Sequence, residues 1–445
     1  MKTKSKAAAT AVAVAAVLAL AACSSSGASA GSSSSASAAC APSSGTVSLT
    51  FTTWVPGMDK VVDLWNQKNP DIQVKVQTGP NGNSGTYQNF FNEIKAGNAP
   101  DLGQVEYDAL PNFRVQDGLT NIASCKPVAD AKSDFVDWTW NQVTFGEKNA
   151  VYAVPQDTGP VAMFYRKDLF QAAGIPVPTT WDEYAKDAAL IKAKGAYITN
   201  FPKTDVNWFA GMVWQNGGQW FQNDGKAWTV DLTGDKSTQV ADYWQKLIAN
   251  GQVSKLASFS DEWNKSFDDG QQWTWISAVW GASTLQSGAP NTAGKWAVAP
   301  MPQWTSGGNQ AGDWGGSSTA VLKGSKHPYE AAKFAMWLNT DPEALALENK
   351  LGGLYPAAKA GADLDAFTSG QPFYGGQKIY DVFKQASSQV NPDFTWGPTM
   401  TQTYTDVSDG FGAALGGSGT LGDALKTGQD KTISALKQQS IPVKG

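Results

Sequence analysis

From residue 46 onward, apolar and polar positions switch repeatedly between two periods. Val47, Leu49 and Phe51 alternate with polar neighbours, the two-residue period of a strand. Met58, Val61, Val62 and Trp65 then recur at helical spacing until Asn69-Pro70-Asp71 breaks the run. Ile72, Val74 and Val76 alternate again, and Tyr87, Phe90, Phe91 and Ile94 mark a second helix stopped by Gly97. Residues 102–105 form a further short strand. Strand, helix, strand, helix, strand is the pattern of an α/β lobe on a mainly parallel sheet. A second region of this kind begins near Val161. There Thr180-Trp181-Asp182-Glu183 reads as a capping box, Thr at the N-cap and Glu at N3, opening a helix through Lys194. Roughly 400 residues exceed one ordinary core, so two lobes are expected.

The first forty residues follow neither period. Lys2, Lys4 and Lys6 precede an apolar run, residues 7–19, broken only by Thr10. That is the length of a signal peptide's apolar stretch and short for a bilayer span. The run ends in Leu20-Ala21-Ala22-Cys23, which resembles the lipobox of bacterial lipoproteins. The resemblance implies removal of residues 1–22 and lipid on Cys23, with the body exported to the outer face of the cell membrane. An ordinary signal peptide with a chance cysteine is the alternative. Residues 24–39 are nearly all Ser, Ala and Gly, a composition that behaves as a flexible tether, taken here as residues 23–45. With Cys23 assigned to lipid, Cys40 and Cys125 remain. In an oxidising exterior they are expected to pair, two free thiols being the alternative.

Composition narrows the chemistry. The 445 residues hold 34 Lys+Arg against 39 Asp+Glu, a net charge of −5. Charged residues make up 16% of the chain, below the ~25% of ordinary soluble domains. One histidine, His327, cannot supply a multi-histidine metal site, and three scattered cysteines cannot form a zinc ribbon. A net-acidic chain lacks the electrostatic footprint for nucleic acid. No phosphate-binding G-x-x-x-x-G-K-[ST] motif is present, and Gly417-Ser418-Gly419-Thr420-Leu421-Gly422 follows a helix-like run rather than the strand a dinucleotide fingerprint requires. No cofactor is expected. The surplus is aromatic: 19 Trp, 12 Tyr and 19 Phe.

Several segments together resemble the extracellular solute-binding proteins of ABC importers, the maltose-binding-type family. They are Ala96-Gly97-Asn98-Ala99-Pro100-Asp101-Leu102 followed by Gly118-Leu119-Thr120-Asn121-Ile122, and Tyr152-Ala153-Val154-Pro155 through Phe164-Tyr165-Arg166-Lys167-Asp168 to Pro178-Thr179-Thr180-Trp181-Asp182-Glu183. Ser325-Lys326-His327-Pro328 and Gly353-Leu354-Tyr355-Pro356 complete the set, in family order over residues 46–440. The resemblance implies a two-lobed periplasmic-binding-protein-like α/β fold with a hinge and an interlobe cleft. It places chain crossings near Pro155, Asp313 and Gln371, with residues 46–155 and 314–371 in one lobe and 156–313 and 372–445 in the other. It implies a sugar-binding monomer partnered by a permease and its separate ATPase, and it makes His327 a solvated residue at a helix start.

A neutral saccharide needs aromatic planes for its C–H faces and amides or carboxylates for its hydroxyls. That chemistry occurs where strands should give way to cleft loops. Trp54 ends the first strand, Glu106, Tyr107 and Asp108 follow the third, and Gln156 and Asp157 lie beyond the first crossing. Asn207, Trp208 and Trp214 lie in the second lobe, and Trp280 ends the strand-like residues 276–279. Asp313, Trp314 and Gly315 lie at the second crossing, where glycines permit close approach of a ligand. Tyr355 and Trp396 are further candidates, whereas Trp65, Trp181, Trp244 and Trp337 sit on helical apolar faces and belong to the core. The expected function is capture of a neutral sugar or oligosaccharide. The alternatives are a non-sugar solute, or a secreted carbohydrate-active enzyme, which would need two carboxylates at a set separation.

Overall fold

A computed structural model of the chain describes residues 40–444; Cys23 and the expected signal peptide lie outside them. The strands are β1 (Val47–Thr53), β2 (Ile72–Thr78), β3 (Leu102–Glu106), β4 (Ala153–Pro155), β5 (Val161–Arg166), β6 (Thr199–Asn200), β7 (Phe221–Asn223), β8 (Trp228–Val230), β9 (Val253–Ser254), β10 (Thr274–Ala278), β11 (Trp296–Ala299) and β12 (Ser317–Val321). Two sheets organise a two-lobed α/β fold. The first runs β2-β1-β3-β12-β4, with β1 parallel to β2 and β3, and β12 antiparallel to β3 and β4. The second runs β10-β5-β11.

That second sheet corrects the expectation of a mainly parallel one, because β5 is antiparallel to both neighbours. Its partners arrive from more distant sequence and flank it on either side. They therefore run parallel to each other, and the helix Gly281–Gly288 lies in the crossover between them.

Local signals explain the elements. The helix Met58–Lys68 buries Met58, Val61, Val62 and Trp65. The helix Thr86–Ala96 ends because Gly97 takes a left-handed conformation (φ 74°) and its N–H reaches back to the carbonyls of Glu93 and Ile94. Thr180 and Glu183 cap each other's backbone at the start of the helix Trp181–Ala193. Gly417 and Gly419 turn the chain between the helices Met400–Leu415 and Leu421–Gln438, where Thr420 and Asp423 form a second capping box.

Fourteen of the nineteen tryptophans are buried, so the aromatic surplus is mostly core. Trp65, Trp181 and Trp244 are among them, while Trp337 is half-buried with its ring centroid 5.2 Å from that of Trp65. Trp244 anchors an edge-to-face cluster with Trp181, Tyr184, Trp208 and Tyr243. Such pairs add about 0.5–1.5 kcal/mol each beyond their burial.

At the N-terminal end of the described chain, Cys40 is joined to Cys125 by a disulfide. The Ser43 N–H donates to Glu330 Oε1 at 2.6 Å, and its hydroxyl lies 2.9 Å from His327 Nδ1. The stretch taken as tether to residue 45 is thus fastened to the body from Cys40 on. His327 is half-buried beneath Ser43 at the start of the helix Pro328–Thr340, rather than solvated. Among the described residues no helix is long and apolar enough to cross a membrane, and no group of His, Cys, Asp and Glu is placed to hold a metal ion.

Candidate functional site

Parallel strands present their carboxyl ends at one sheet edge, the usual place for a ligand in open α/β sheets. Trp54 follows β1, Asn81–Ser84 follow β2 and Glu106 ends β3, so all three gather at that edge. Facing them are Thr204–Asn207, at the start of the helix Val206–Gln215, and the helix Met400–Leu415. Between these walls lies a cleft of about 500 Å³ lined by Asn83, Glu106, Asp205, Asn207, Tyr404 and Asp409, among others. Asn207 and Glu106 are the two sequence candidates that line it directly.

Two hydrogen bonds close the walls on each other. The Tyr404 hydroxyl donates to Asp108 Oδ2 at 3.0 Å, and the Thr401 hydroxyl donates to Asn83 Oδ1 at 2.8 Å. Glu106 Oε2 accepts from the Tyr87 hydroxyl at 3.0 Å, and Tyr87 meets the half-buried Trp54 edge-on at 5.9 Å. On the facing lobe Trp280 is half-buried, its centroid 4.6 Å from Trp314 and 6.1 Å from Phe259. Phe259 is 48% exposed and holds a left-handed backbone (φ 66°), an outlier for a bulky side chain. Its neighbour Ser258 lies near Asp205 of the cleft wall.

Burial raises the carboxyl groups of Glu106, Asp108 and Asp205. Burial, then the charge of Asp108, lifts Glu106 to about 8, against a lowering hydrogen bond from Tyr87. Burial lifts Asp108 to about 6, opposed by the Tyr404 hydrogen bond, and lifts Asp205 to about 6, opposed by Ser258. Asp108 Oδ1 and Asp205 Oδ2 are buried without a hydrogen-bond partner in the protein.

Other sequence candidates sit in the crossings between the sheets and are engaged there. Asp157 Oδ1 accepts from the Ser317 N–H at 2.7 Å, and Asp313 Oδ1 accepts from the Gly159 N–H at 3.0 Å. The Tyr107 hydroxyl donates to the Asp157 carbonyl, Gln156 Nε2 donates to Glu348 Oε1, and the Tyr355 carbonyl accepts from the Thr158 N–H. Burial raises Asp157 to about 7 and Glu348 to about 8, and pushes Asp313 well up. The glycines there admit protein rather than ligand: a Cβ on Gly316 (φ 86°) would lie 2.8 Å from the Tyr107 ring. Gly315 lies under the Trp280 indole, whose N–H donates to the Trp314 carbonyl.

Trp208, Trp214, Trp314 and Trp396 are buried rather than on the cleft lining. Trp208 and Trp214 donate their indole N–H to the carbonyls of Ile276 and Asn391. Trp396 packs edge-on to Phe394 and borders a separate cavity of about 720 Å³. Sequence reasoning missed Asn83, Asp205, Thr401 and Tyr404. Asn83 was recoverable from its place after a parallel strand. The others reach the cleft only through long-range packing.

Two lobes joined by laced crossings, with a polar cleft closed by contacts from both sides, define a binding protein of the hinged two-lobe class. The family comparison is specific: the chain belongs to the bacterial extracellular solute-binding proteins, whose family model matches residues 51–345. It is 24% identical to the arabinooligosaccharide-binding protein of Halalkalibacterium halodurans, over 89% of this chain and 91% of that one. It is 28% identical to the lactose-binding protein of Rhizobium radiobacter, over 64% of this chain and 68% of that one. Its fold is similar to the galacto-N-biose-/lacto-N-biose I-binding protein of a Bifidobacterium longum ABC transporter, solved with lacto-N-biose. There the TM-score is 0.81 at 30% identity, covering 90% of this chain and 100% of that one. A Bifidobacterium animalis subsp. lactis ABC-transporter-associated binding protein, solved with β-1,6-galactobiose, gives a TM-score of 0.77 at 30% identity, covering 90% and 100%. These relatives are binding proteins, and the chain is a solute-binding protein rather than an enzyme.

Proposed function

We propose that this protein captures a mono- or oligosaccharide in the cleft between Glu106 and Tyr404 and delivers it to an ABC import permease, held to the membrane by lipid on Cys23. The observation that carries the reading is the cleft itself, with amide, hydroxyl and carboxylate groups from both lobes converging on one space and half-buried Trp54 linked to it through Tyr87 and Glu106. Trp54 and Trp280 offer planes to sugar rings, while Glu106, Asn207, Asn83 and Asp205 take the hydroxyls. Ligand touches both walls only when they are closed, so binding shifts the population toward the closed form that the permease reads. The crossing residues Gln156, Asp157, Asp313 and Tyr355 serve the hinge on this reading. Residues 46–155 and 314–371 form the lobe that carries the tether, and the monomer is the working unit.

Calorimetry with arabino-oligosaccharides, lactose, lacto-N-biose and β-1,6-galactobiose tests the proposal, with tryptophan fluorescence reporting closure. At least one saccharide should bind with a fluorescence change. Binding of a peptide or phosphorylated compound in place of every saccharide would overturn it.

A further inference from the structure

We infer that the preferred ligand of this cleft is a saccharide bearing a free amine, an amino sugar in its ammonium form, and that sugar acids are turned away. The inference rests on the cleft being the saccharide site. The lining carries three carboxylates, Glu106, Asp205 and Asp409, and among the described residues no Lys, Arg or His lines it. A fourth carboxylate, Asp108, stands directly behind, bonded to Tyr404 of the opposite wall. Asp108 is only 9% exposed, and its Oδ1 has no partner; neither has the buried Oδ2 of Asp205.

Several buried carboxylates outside the cleft have partners. Asp157 and Asp313 accept backbone N–H groups, and Asp406 pairs with Lys431 at 3.1 Å. In the cleft the Asp108 charge is one of the causes that raise Glu106. A neutral sugar hydroxyl can donate to one orphan oxygen but leaves the mutual repulsion in place. An ammonium brings three donors and a positive charge, satisfying both deficits at once. N-acetylation leaves one N–H and no charge. A uronate or phosphate brings a negative charge next to carboxyl groups whose charged form burial already disfavours.

The test is calorimetry on the wild-type chain at about pH 6.5, where sugar amines are largely protonated. Matched disaccharides are compared in two series. One is chitobiose with free amines, N,N′-diacetylchitobiose, cellobiose and cellobiouronic acid; the other is lactosamine, N-acetyllactosamine and lactose. The amine form should bind at least tenfold more tightly than its neutral and acetylated counterparts in one series, a difference of about 1.4 kcal/mol. The acid should bind more weakly than cellobiose. Glu106→Gln and Asp205→Asn should each cut the amine preference at least threefold, with thermal unfolding checking that the variants fold. If a variant does not fold, the wild-type ranking decides. Neutral sugar binding as well as its amine, or acid as well as neutral, overturns this inference and leaves the saccharide reading standing. Failure of every saccharide overturns both.

Discussion

Replacing Tyr404 by Phe keeps the ring in the cleft wall and deletes only the hydroxyl that donates to Asp108 Oδ2 at 3.0 Å across the lobes. Asp108 Oδ1 already lacks a partner, so the variant leaves a buried carboxyl with both oxygens unsatisfied in the closed form. Opening the lobes hydrates that carboxyl, so the loss falls on the closed state. A hydrogen bond to a charged group is worth about 1.5–3 kcal/mol, which converts to roughly a 12- to 150-fold fall in the closed-to-open ratio. Where closure is coupled to binding, the apparent Kd rises by the same factor. Asp108 is raised to about 6, so it is largely ionised at pH 7.5 and largely protonated at pH 5. The same variant should then lose only a neutral hydrogen bond at low pH, about 1 kcal/mol or roughly fivefold in Kd. Calorimetric titration of the best-binding saccharide of the panel at both pH values measures this. Solution X-ray scattering of the ligand-free protein reports the closed fraction independently. A Kd within twofold of wild type at pH 7.5, with unchanged scattering, would refute the assignment of this bond to closure.

Other consequences can be checked in the same preparations. Cys40→Ala with Cys125→Ala opens a loop of sequence separation 85, and the chain-entropy relation gives a loss of about 4.5 kcal/mol, read as a lower denaturant midpoint. Native Glu348 and Asp157 are raised to about 8 and 7, so the folded state holds protons that the unfolded chain releases near pH 4. Their contribution is therefore full below pH 4 and is lost as pH climbs through 7 to 8. Glu348→Gln, which keeps an acceptor for Gln156, should flatten that decline and raise Tm at pH 8.5. Gly316→Ala should destabilise by about 2 kcal/mol or more, because φ is 86° and the new Cβ meets the Tyr107 ring at 2.8 Å. An unchanged melting temperature would show that the crossing relaxes freely.

The chain's periodicity determined what depends on neighbours in sequence. Val47, Leu49 and Phe51 had to form a half-buried strand, and Met58 to Trp65 one face of a helix. Thr180 with Glu183, and Gly97, had to start and stop helices, because these are contacts within one turn of chain. Glu106 and Trp54 were legible for the related reason that a strand's end lies at a sheet's edge. The antiparallel second sheet was not, since the direction of β10 and β11 against β5 is set by packing between segments more than a hundred residues apart. The tryptophans divided the same way. Trp208, Trp214, Trp314 and Trp396 have the residue type a sugar site wants, but neighbours from other parts of the chain bury them. Conversely Tyr404 and Asp205 carry no local mark, and become cleft residues only because the two lobes bring them opposite Asp108 and Glu106. Sequence determined which elements form and which chemistry is available. Tertiary structure decided which side chains face the cleft, because burial and charge compensation depend on every segment that packs around a group.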